Sequence, residues 1–259
     1  MPNVLTRIIA NKRREVTLAK RQLPLDALRR VVRAAPKGRR SFAEALRKKP
    51  IGLIAEVKLK SPSGGTLTST RVERLAQLYA KSPASAVSVL TDRKYFNGSL
   101  ENLVRVRAIC PQPVLRKDFI IDEYQVYESA FVGADALLLI VSALSKKKLR
   151  ELLVLAGALK LEALVEVHSA AELRTALAAG AKIIGINNRN LKTLKVDIKT
   201  TGTLLRHAKK GPIYVSESGI ESRADVIAVK KAGVHAILVG SAIVTAKNPS
   251  AKLRELSLH

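Results

Sequence analysis

The sequence contains few aromatic residues and almost no cysteine. Aromatics make up 3% of its 259 residues and tryptophan is absent, which argues against the stacked aromatic platforms that bind single-stranded nucleic acids. The only cysteine, Cys110, cannot form an intramolecular disulfide. No group of cysteines and histidines has the spacing of a structural zinc site. We therefore expect a fold that is stabilised by neither a disulfide nor a metal ion.

Long apolar segments are also missing. No run reaches the roughly 18 residues that a membrane-spanning helix requires, and the N-terminal stretch MPNVLTRIIANKRREV lacks an apolar core followed by a small-residue cleavage site. The chain is nevertheless 47% hydrophobic, which is enough to form a sizeable core. These features predict a soluble cytoplasmic protein without a membrane partner.

Acidic residues are outnumbered by basic ones, 21 to 46, which gives a formal net charge of +25. Such a charge attracts nucleic acids, anionic membranes or small anionic substrates. The basic residues are spread over nearly every predicted helix, as in KKKLRELL, RADVIAVKK and RHAKK, a distribution typical of solvated surfaces. Because no nucleic-acid-binding motif is present, we expect only nonspecific contact with nucleic acid, through the net charge.

Short apolar runs alternate with amphipathic helical patterns after residue 50. Helical periodicity is clear in segments such as VERLAQLYA and LENLVRVRAI. The predicted strands span residues 51–58, 85–90, 113–117, 135–141, 162–167, 182–187, 212–217 and 235–240. Repeated βα units of this number predict an α/β fold, the (β/α)8 TIM barrel, since an open doubly wound sheet usually has fewer strands and a glycine fingerprint after the first one.

Two helical patterns, TRIIANKRREVTLAKRQ and LDALRRVVRA, precede the first strand and are separated by Pro24. We interpret residues 1–49 as an N-terminal helical extension that covers one barrel end. The whole chain, residues 1–259, is then expected to form a single barrel domain, as a monomer or weak homo-oligomer.

Polar residues close several of the predicted strands, at the end where TIM barrels have their active sites. Glu56 and Lys58 lie two residues apart and therefore project to the same side of the first strand. Charged side chains are rarely buried without a partner, so an internal ion pair is the minimum interpretation. Each charge alone would also suit a solvated strand end, but the set converges on one mouth. Its members are Glu56, Lys58, Lys117, Glu166, Asn187, Glu217 and Ser218.

Two short motifs, SESGI at 216–220 and LVGSAI at 238–243, follow the last two predicted strands. TIM barrels often bind phosphate there, because glycines let backbone N–H groups approach the anion and a helix N-terminus favours its charge. Either motif alone is also typical of an ordinary turn. Together they predict a phosphate site at Gly219, Gly240 and Ser241, with the Ser61 hydroxyl as a further donor.

Eight motifs occur in order along the chain: EVKLKSPSGG, VSVLTDRKYFNGS, VLRKDFIIDEYQV, ADALLLIV, LVEVHS, IGINNRNL, VSESGI and LVGSAIV. In their order and spacing they resemble the indole-3-glycerol phosphate synthase family of tryptophan biosynthesis. The family converts 1-(2-carboxyphenylamino)-1-deoxyribulose 5-phosphate to indole-3-glycerol phosphate with loss of CO₂ and water. The resemblance therefore implies a carboxy-lyase that uses no cofactor or metal and whose partner is a small substrate with a carboxylate and a phosphate.

The resemblance also implies roles for individual residues. Lys117 would be the general acid that protonates the substrate's ketone oxygen, and Lys58 would hold its carboxylate. Glu56 and Glu166 would move protons or stabilise cationic charge, with the order of proton transfers left open. Around the ribulose portion of the substrate would lie Asn187, Arg189, Glu217 and Ser218. The phosphate would be bound by Ser61, Gly219, Gly240 and Ser241. The anthranilate ring would lie between the apolar side chains of Phe96 and Phe119.

Two other functions stay open on the sequence. A phosphoribosyl isomerase would share the fold, but its chemistry usually depends on an Asp or Cys acid–base pair, whereas the first and third strands here end in lysines. A basic nucleic-acid-binding protein is the second alternative, and only the net charge supports it. His168, at a predicted helix start, and His207, among lysines on a helix, are assigned no role.

Overall fold

Eight parallel strands close into a barrel in the computed structural model, which describes residues 4–34, 38–47, 50–61, 65–190 and 193–258, apart from the Ser61 side chain. The ring closes where the first strand pairs with both the second and the last barrel strand. Each predicted strand is confirmed to within one residue at either end. In chain order the strands are β1 (Gly52–Val57), β2 (Lys60–Ser61), β3 (Gly65–Thr66), β4 (Ala86–Leu90), β5 (Val114–Lys117), β6 (Ala136–Ile140), β7 (Glu162–Val167), β8 (Ile183–Asn187), β9 (Ile213–Glu217) and β10 (Ala236–Val239), of which β2 and β3 form a separate hairpin.

Helices surround the barrel, and many begin at a residue whose side chain caps the first turn. Ser99, Ser145 and Ser169, for example, each accept a hydrogen bond from a backbone N–H three residues on. Among the described helices, none combines the length and apolarity that spanning a bilayer requires. They are α1 (Val4–Gln22), α2 (Leu25–Ala34), α3 (Phe42–Leu46), α4 (Val72–Ala80), α5 (Arg93–Phe96), α6 (Leu100–Ile109), α7 (Glu123–Phe131), α8 (Lys146–Ala158), α9 (Ala170–Ala178), α10 (Lys199–Leu205), α11 (Arg223–Ala232), α12 (Ser241–Val244) and α13 (Pro249–Leu256).

Alternation along the strands separates the barrel interior from the layer between strands and helices. In β1, Leu53 and Ala55 pack outward against the helices, whereas Ile54 faces the interior. The same alternation turns Glu56 inward, one step closer to the carboxyl end of the strand. Apolar side chains thus fill the barrel interior below a layer of charged ones. The interior residues include Ile54, Leu115, Leu138, Leu164, Ile183, Val215 and Leu238.

The segment before the barrel contacts both barrel ends, not one as the sequence analysis expected. Phe42 and Leu46 of α3 are completely buried among the interior residues at the amino ends of the strands. The backbone N–H groups of Phe42 and Ala43 donate to the Glu162 carboxylate at the start of β7. Helix α3 therefore closes the amino end, while α1 reaches the carboxyl end through Lys12.

Lys12 joins α1 to two of the loops at the carboxyl ends of the strands. It is 4% exposed, and its Nζ lies 3.0 Å from Asp92 Oδ2 and 2.9 Å from Asp118 Oδ1. Burial alone would raise the pKa of Asp118, but the charges of Lys12 and Arg116 lower it to about 2. Because Asp118 follows Lys117 in the chain and Asp92 caps α5, this ion cluster helps to fix the loops that carry candidate site residues.

Candidate active site at the carboxyl ends of the strands

A cavity of about 220 Å³ opens at the carboxyl ends of the strands. Ser61 lies in β2, and its side chain is outside the described part of the chain. Within the described residues, no three His, Cys, Asp or Glu side chains are grouped as a metal ion would require. The sequence-predicted residues that line the cavity are Glu56, Lys58, Phe96, Lys117, Phe119, Glu166, Asn187, Arg189, Glu217, Ser218, Gly219, Gly240 and Ser241.

Lys117 stands between two buried glutamates at the centre of this cavity. Its Nζ lies 3.4 Å from Glu166 Oε2 and 3.5 Å from Glu217 Oε2, and both carboxylate side chains are 2% exposed. Burial alone would lower the pKa of Lys117, but the negative charges of Glu166, Glu217 and Glu56 outweigh it and raise the pKa. Lys117 is therefore an ammonium ion at neutral pH and has a proton to donate.

The two glutamates beside Lys117 differ in their other contacts. Glu166 Oε1 accepts a hydrogen bond from Asn187 Nδ2 at 3.1 Å and lies 3.2 Å from His168 Nε2. Burial alone would raise the pKa of Glu166, but Lys117 and His168 lower it. The Glu217 carboxyl group has no hydrogen-bond partner among the described residues, and burial raises its pKa to about 8, with Lys117 opposing and Glu166 adding to the shift. The pKa values of the two carboxyl groups thus shift in opposite directions, a separation typical of acid–base pairs.

Lys58 lies in a more apolar corner, beside two phenylalanine rings. Its Nζ is 3.8 Å from Glu56 Oε2 and 6.0 Å from the centroid of Phe96. Burial lowers the pKa of Lys58; Glu56 opposes this shift and neighbouring cations add to it. The rings of Phe96 and Phe119 have centroids 6.1 Å apart and are tilted by 35°. This corner offers a cation and two aromatic faces to a planar anionic group.

The turn after β9 and the start of α12 form the remaining wall. Ser218 and Gly219 both have positive φ angles, 66° and 77°, a backbone conformation that costs energy at a serine and is held here by Asn188 Nδ2, which donates to the Ser218 carbonyl at 3.0 Å. A Cβ at Gly240 would lie 2.5 Å from Glu56 Oε2. A side chain at residue 240 would therefore displace the Glu56 carboxylate.

Comparison with known proteins identifies the family. A sequence-family model of indole-3-glycerol phosphate synthase matches residues 5–256. The indole-3-glycerol phosphate synthase of Roseiflexus castenholzii is 47% identical to the chain, and the alignment covers 99% of the chain and 98% of that protein. The indole-3-glycerol phosphate synthase of Dehalococcoides mccartyi is 44% identical, and the alignment covers 98% of the chain and 99% of that protein. The chain belongs to the indole-3-glycerol phosphate synthase family.

Solved structures of more distant proteins share the barrel. The 3-hexulose-6-phosphate synthase of Salmonella typhimurium is similar with a TM-score of 0.66 at 16% identity, over 80% of this chain and 97% of that one. A thiamine phosphate pyrophosphorylase from Pyrococcus furiosus has a TM-score of 0.60 at 17% identity, over 83% and 96% of the two chains. At these identities the likeness shows the TIM-barrel fold alone.

The sequence analysis of this indole-3-glycerol phosphate synthase family member left several residues of the cavity region unassigned, among them Val196, Leu138 and His168. Val196 lines the cavity from the loop after β8 and packs where a side chain at Gly219 would stand, a contact between distant segments that no local pattern indicates. Leu138 forms part of the apolar lining. His168 lies behind Glu166, two residues further along, and the spacing argument used for Glu56 and Lys58 would have found it.

Gly185 of β8 leaves the space that the Glu217 carboxyl group occupies. A Cβ at Gly185 would overlap Glu217 Oε1 and lie 3.1 Å from its Cδ. Gly185→Ala is therefore expected to push this carboxyl group away from Lys117 and to lower kcat by roughly tenfold to a hundredfold, with a smaller change in KM. Steady-state kinetics check this against Gly157→Ala in α8, where a Cβ meets no described atom within 4 Å. Equal kcat values for the two variants would contradict the assignment.

Proposed function

We propose that this cavity converts 1-(2-carboxyphenylamino)-1-deoxyribulose 5-phosphate to indole-3-glycerol phosphate, CO₂ and water. The observation that carries the proposal is the Lys117 ammonium between Glu166 and Glu217, inside a cavity flanked by two phenylalanine rings, in a chain that matches the family over nearly its whole length. A buried proton donor beside an aromatic-lined pocket suits a reaction in which an aromatic carbon attacks a ketone.

Substrate binding is proposed to use the two ends of the cavity. The anthranilate ring would lie against Phe96 and Phe119, with its carboxylate on Lys58. The phosphate would lie at the turn of Gly219 and the start of α12, where the glycine backbones leave room for an anion. This arrangement supplies attraction at both charged ends and places the ketone near Lys117.

Ring closure needs one proton. As the ring carbon that bears the carboxylate attacks the ketone carbon, Lys117 donates its proton to the ketone oxygen, which becomes a hydroxyl group. The ring and its nitrogen then carry positive charge, which the ionised Glu166 stabilises at close range. Loss of CO₂ returns the electron pair of the broken C–C bond to the ring. Lys117 recovers its proton from solvent, with Glu217, whose pKa is raised, as the adjacent relay.

Dehydration completes the indole. The new hydroxyl group must leave as water while the carbon between it and the nitrogen loses a proton. We assign the acid to Lys58 and the base to Glu56, which lie 3.8 Å apart. Loss of CO₂ removes the substrate carboxylate that Lys58 had held. The pKa of Lys58 is lowered and therefore lies closer to the operating pH, which makes Lys58 a more effective proton donor. The proton that Glu56 accepts returns to Lys58 across this contact.

Mass spectrometry of the product tests the proposed reaction. The purified protein is incubated with the substrate and the phosphorylated product is identified. The expected product has lost CO₂ and water, whereas a phosphoribosyl isomerase would leave the mass of its own substrate unchanged. A folded protein that leaves this substrate intact but isomerises a phosphoribosyl compound would replace the proposed function by the alternative.

The net charge of +25 is proposed to accelerate capture of the doubly anionic substrate. Electrostatic steering raises association rates and weakens as salt shortens the Debye length. We expect kcat/KM to fall severalfold between low salt and about 0.5 M salt, while kcat changes much less. Initial rates measured over that range with a salt whose anion does not compete for the phosphate position test this. A constant kcat/KM would exclude steering.

A further inference from the structure

His168 occupies a corner between the end of β7 and the start of α9, behind Glu166. Its Nε2 lies 3.2 Å from Glu166 Oε1, and its Nδ1 lies 3.2 Å from Glu172 Oε2. The backbone N–H of His168 also donates to Glu172 Oε2 at 2.8 Å, which fixes the residue relative to α9. The imidazole side chain is only 12% exposed. Both ring nitrogens therefore face carboxylate oxygens in a mostly buried setting.

Hydrogen-bond chemistry determines the protonation of this ring. Every other described polar group on the Glu166 carboxylate is a donor, since Asn187 Nδ2 contacts Oε1 and Lys117 Nζ contacts Oε2. Glu166 is thus an acceptor at both oxygens, and Glu172 accepts from the His168 backbone. A carboxylate oxygen 3.2 Å from each ring nitrogen, hydrogen-bonded at Nδ1 and at ion-pair distance from Nε2, favours the doubly protonated, cationic imidazole.

We infer that His168 is a positioning residue, a permanently charged imidazolium that orients Glu166 and keeps it ionised beside Lys117. This inference rests on the proposed function, in which the Glu166 anion stabilises positive charge on the substrate ring. Burial alone would lower the pKa of His168, but the carboxylates of Glu166 and Glu172 raise it to about 10. The positive charge of His168 also lowers the pKa of Glu217, but this effect is smaller than that of burial, which raises the Glu217 pKa.

Other charged groups around His168 do not replace its two partners. Among the described residues, only Glu166 and Glu172 lie within ion-pair distance of the ring. Lys117 and Glu217 lie beyond Glu166 in the cavity. The cleft that His168 lines on its other side also contains Arg13, Arg189, Lys195 and Asp197. Removing the His168 charge would leave Lys117 as the cation in contact with Glu166, so the pKa of Glu166 would rise.

The test combines kinetics with a direct measurement of charge. In His168→Gln the amide retains a donor for Glu166 but no charge. We expect the acidic limb of the kcat–pH profile, where Glu166 becomes protonated, to move about one unit to higher pH, so that the loss of kcat at the most acidic pH measured clearly exceeds the loss at pH 8, with KM within about twofold. His207→Gln, the same change at an exposed histidine, is the matched control and should follow the wild-type profile. A loss that is equal at both pH values would indicate packing alone and overturn the inference, as would no loss.

Nitrogen-15 NMR of labelled histidine tests the charge without any turnover. The His168 signals are assigned by their absence in His168→Gln. We expect both ring nitrogens of His168 to stay protonated at pH 8, where an ordinary histidine, with a pKa of about 6.5, is neutral. A neutral His168 at pH 8 overturns the inference whether or not the wild type forms indole-3-glycerol phosphate. A wild type that forms no product but has a charged His168 would refute the proposed function and leave the imidazolium as a structural ion pair, which also overturns its positioning role.

Discussion

Replacing Lys117 with methionine is expected to lower kcat by about 10²–10⁴, the range that a positioned general acid contributes. Methionine fills a similar volume but has no proton to give to the ketone oxygen. It also removes the cation between Glu166 and Glu217, which face it at 3.4 and 3.5 Å. The pKa of Glu166 should then rise, so the variant loses both the acid and part of the negative charge that stabilises the ring.

Steady-state kinetics and circular dichroism of the Lys117→Met protein give the measurement. Lys147→Met is the control, because Lys147 is exposed on α8 and lines no part of the catalytic cavity. The control is expected to keep wild-type kcat and KM. If Lys117→Met folds normally and retains more than about a tenth of wild-type kcat, general acid catalysis by Lys117 is wrong.

Replacing Lys12 with methionine is expected to lower the free energy of unfolding by about 3 kcal/mol, near the lower end of the range for breaking a buried ion pair. The change leaves Asp92 and Asp118 in place with exposures of 0% and 2%. Asp118 keeps Arg116 as a partner at 3.1 Å, which limits the loss. For a chain of this size the melting temperature should fall by roughly 10 °C, measured by thermal or urea unfolding.

Lys20→Met on the same helix provides the comparison for Lys12. Lys20 also contacts an aspartate, Asp122, at 2.8 Å, but it is 38% exposed, so its loss should cost less than about 1 kcal/mol.

The pH dependence of stability in the wild type and in Lys12→Met adds a second test. Because Asp118 has a lowered pKa in the folded wild type, it adds stability above its unfolded pKa of about 4, which is lost as the pH falls toward about 2. In Lys12→Met the pKa values of both aspartates should be higher than in the wild type, so the difference in stability between the two proteins should be smaller at pH 4.5 than at pH 7. Equal destabilisation by the two variants would contradict the cluster's role.

Much of the barrel follows from local sequence pattern. Apolar runs of strand length have one strong interpretation when amphipathic helices separate them, and all eight barrel strands lie within a residue of their predicted bounds. Helices with several turns, such as α4 and α6, were equally clear. The short helices α5 and α12 contain four residues each, which is too few for a period to be recognised, and their positions depend on caps at Asp92 and Gly240.

Pairs of residues that share one strand face can be predicted from the sequence, whereas individual contacts between residues that are distant in sequence cannot. Glu56 and Lys58 are two residues apart, so their shared direction follows from strand geometry. Lys12 contacts Asp92 and Asp118, which are far from it in the sequence. Nothing in the pattern of α1 distinguishes Lys12 from its neighbouring basic residues. The opposite pKa shifts of Glu166 and Glu217 likewise depend on which donors surround each carboxylate in three dimensions.

The central claim is that Lys117 supplies the proton for ring closure in an indole-3-glycerol phosphate synthase reaction. The most direct measurement mixes wild-type protein or Lys117→Met with 1-(2-carboxyphenylamino)-1-deoxyribulose 5-phosphate and follows indole fluorescence. The absence of tryptophan from the chain keeps the protein background low. The account predicts a rapid rise in fluorescence with wild type and almost none with Lys117→Met. No rise with folded wild type, or equal rises with both proteins, would contradict it.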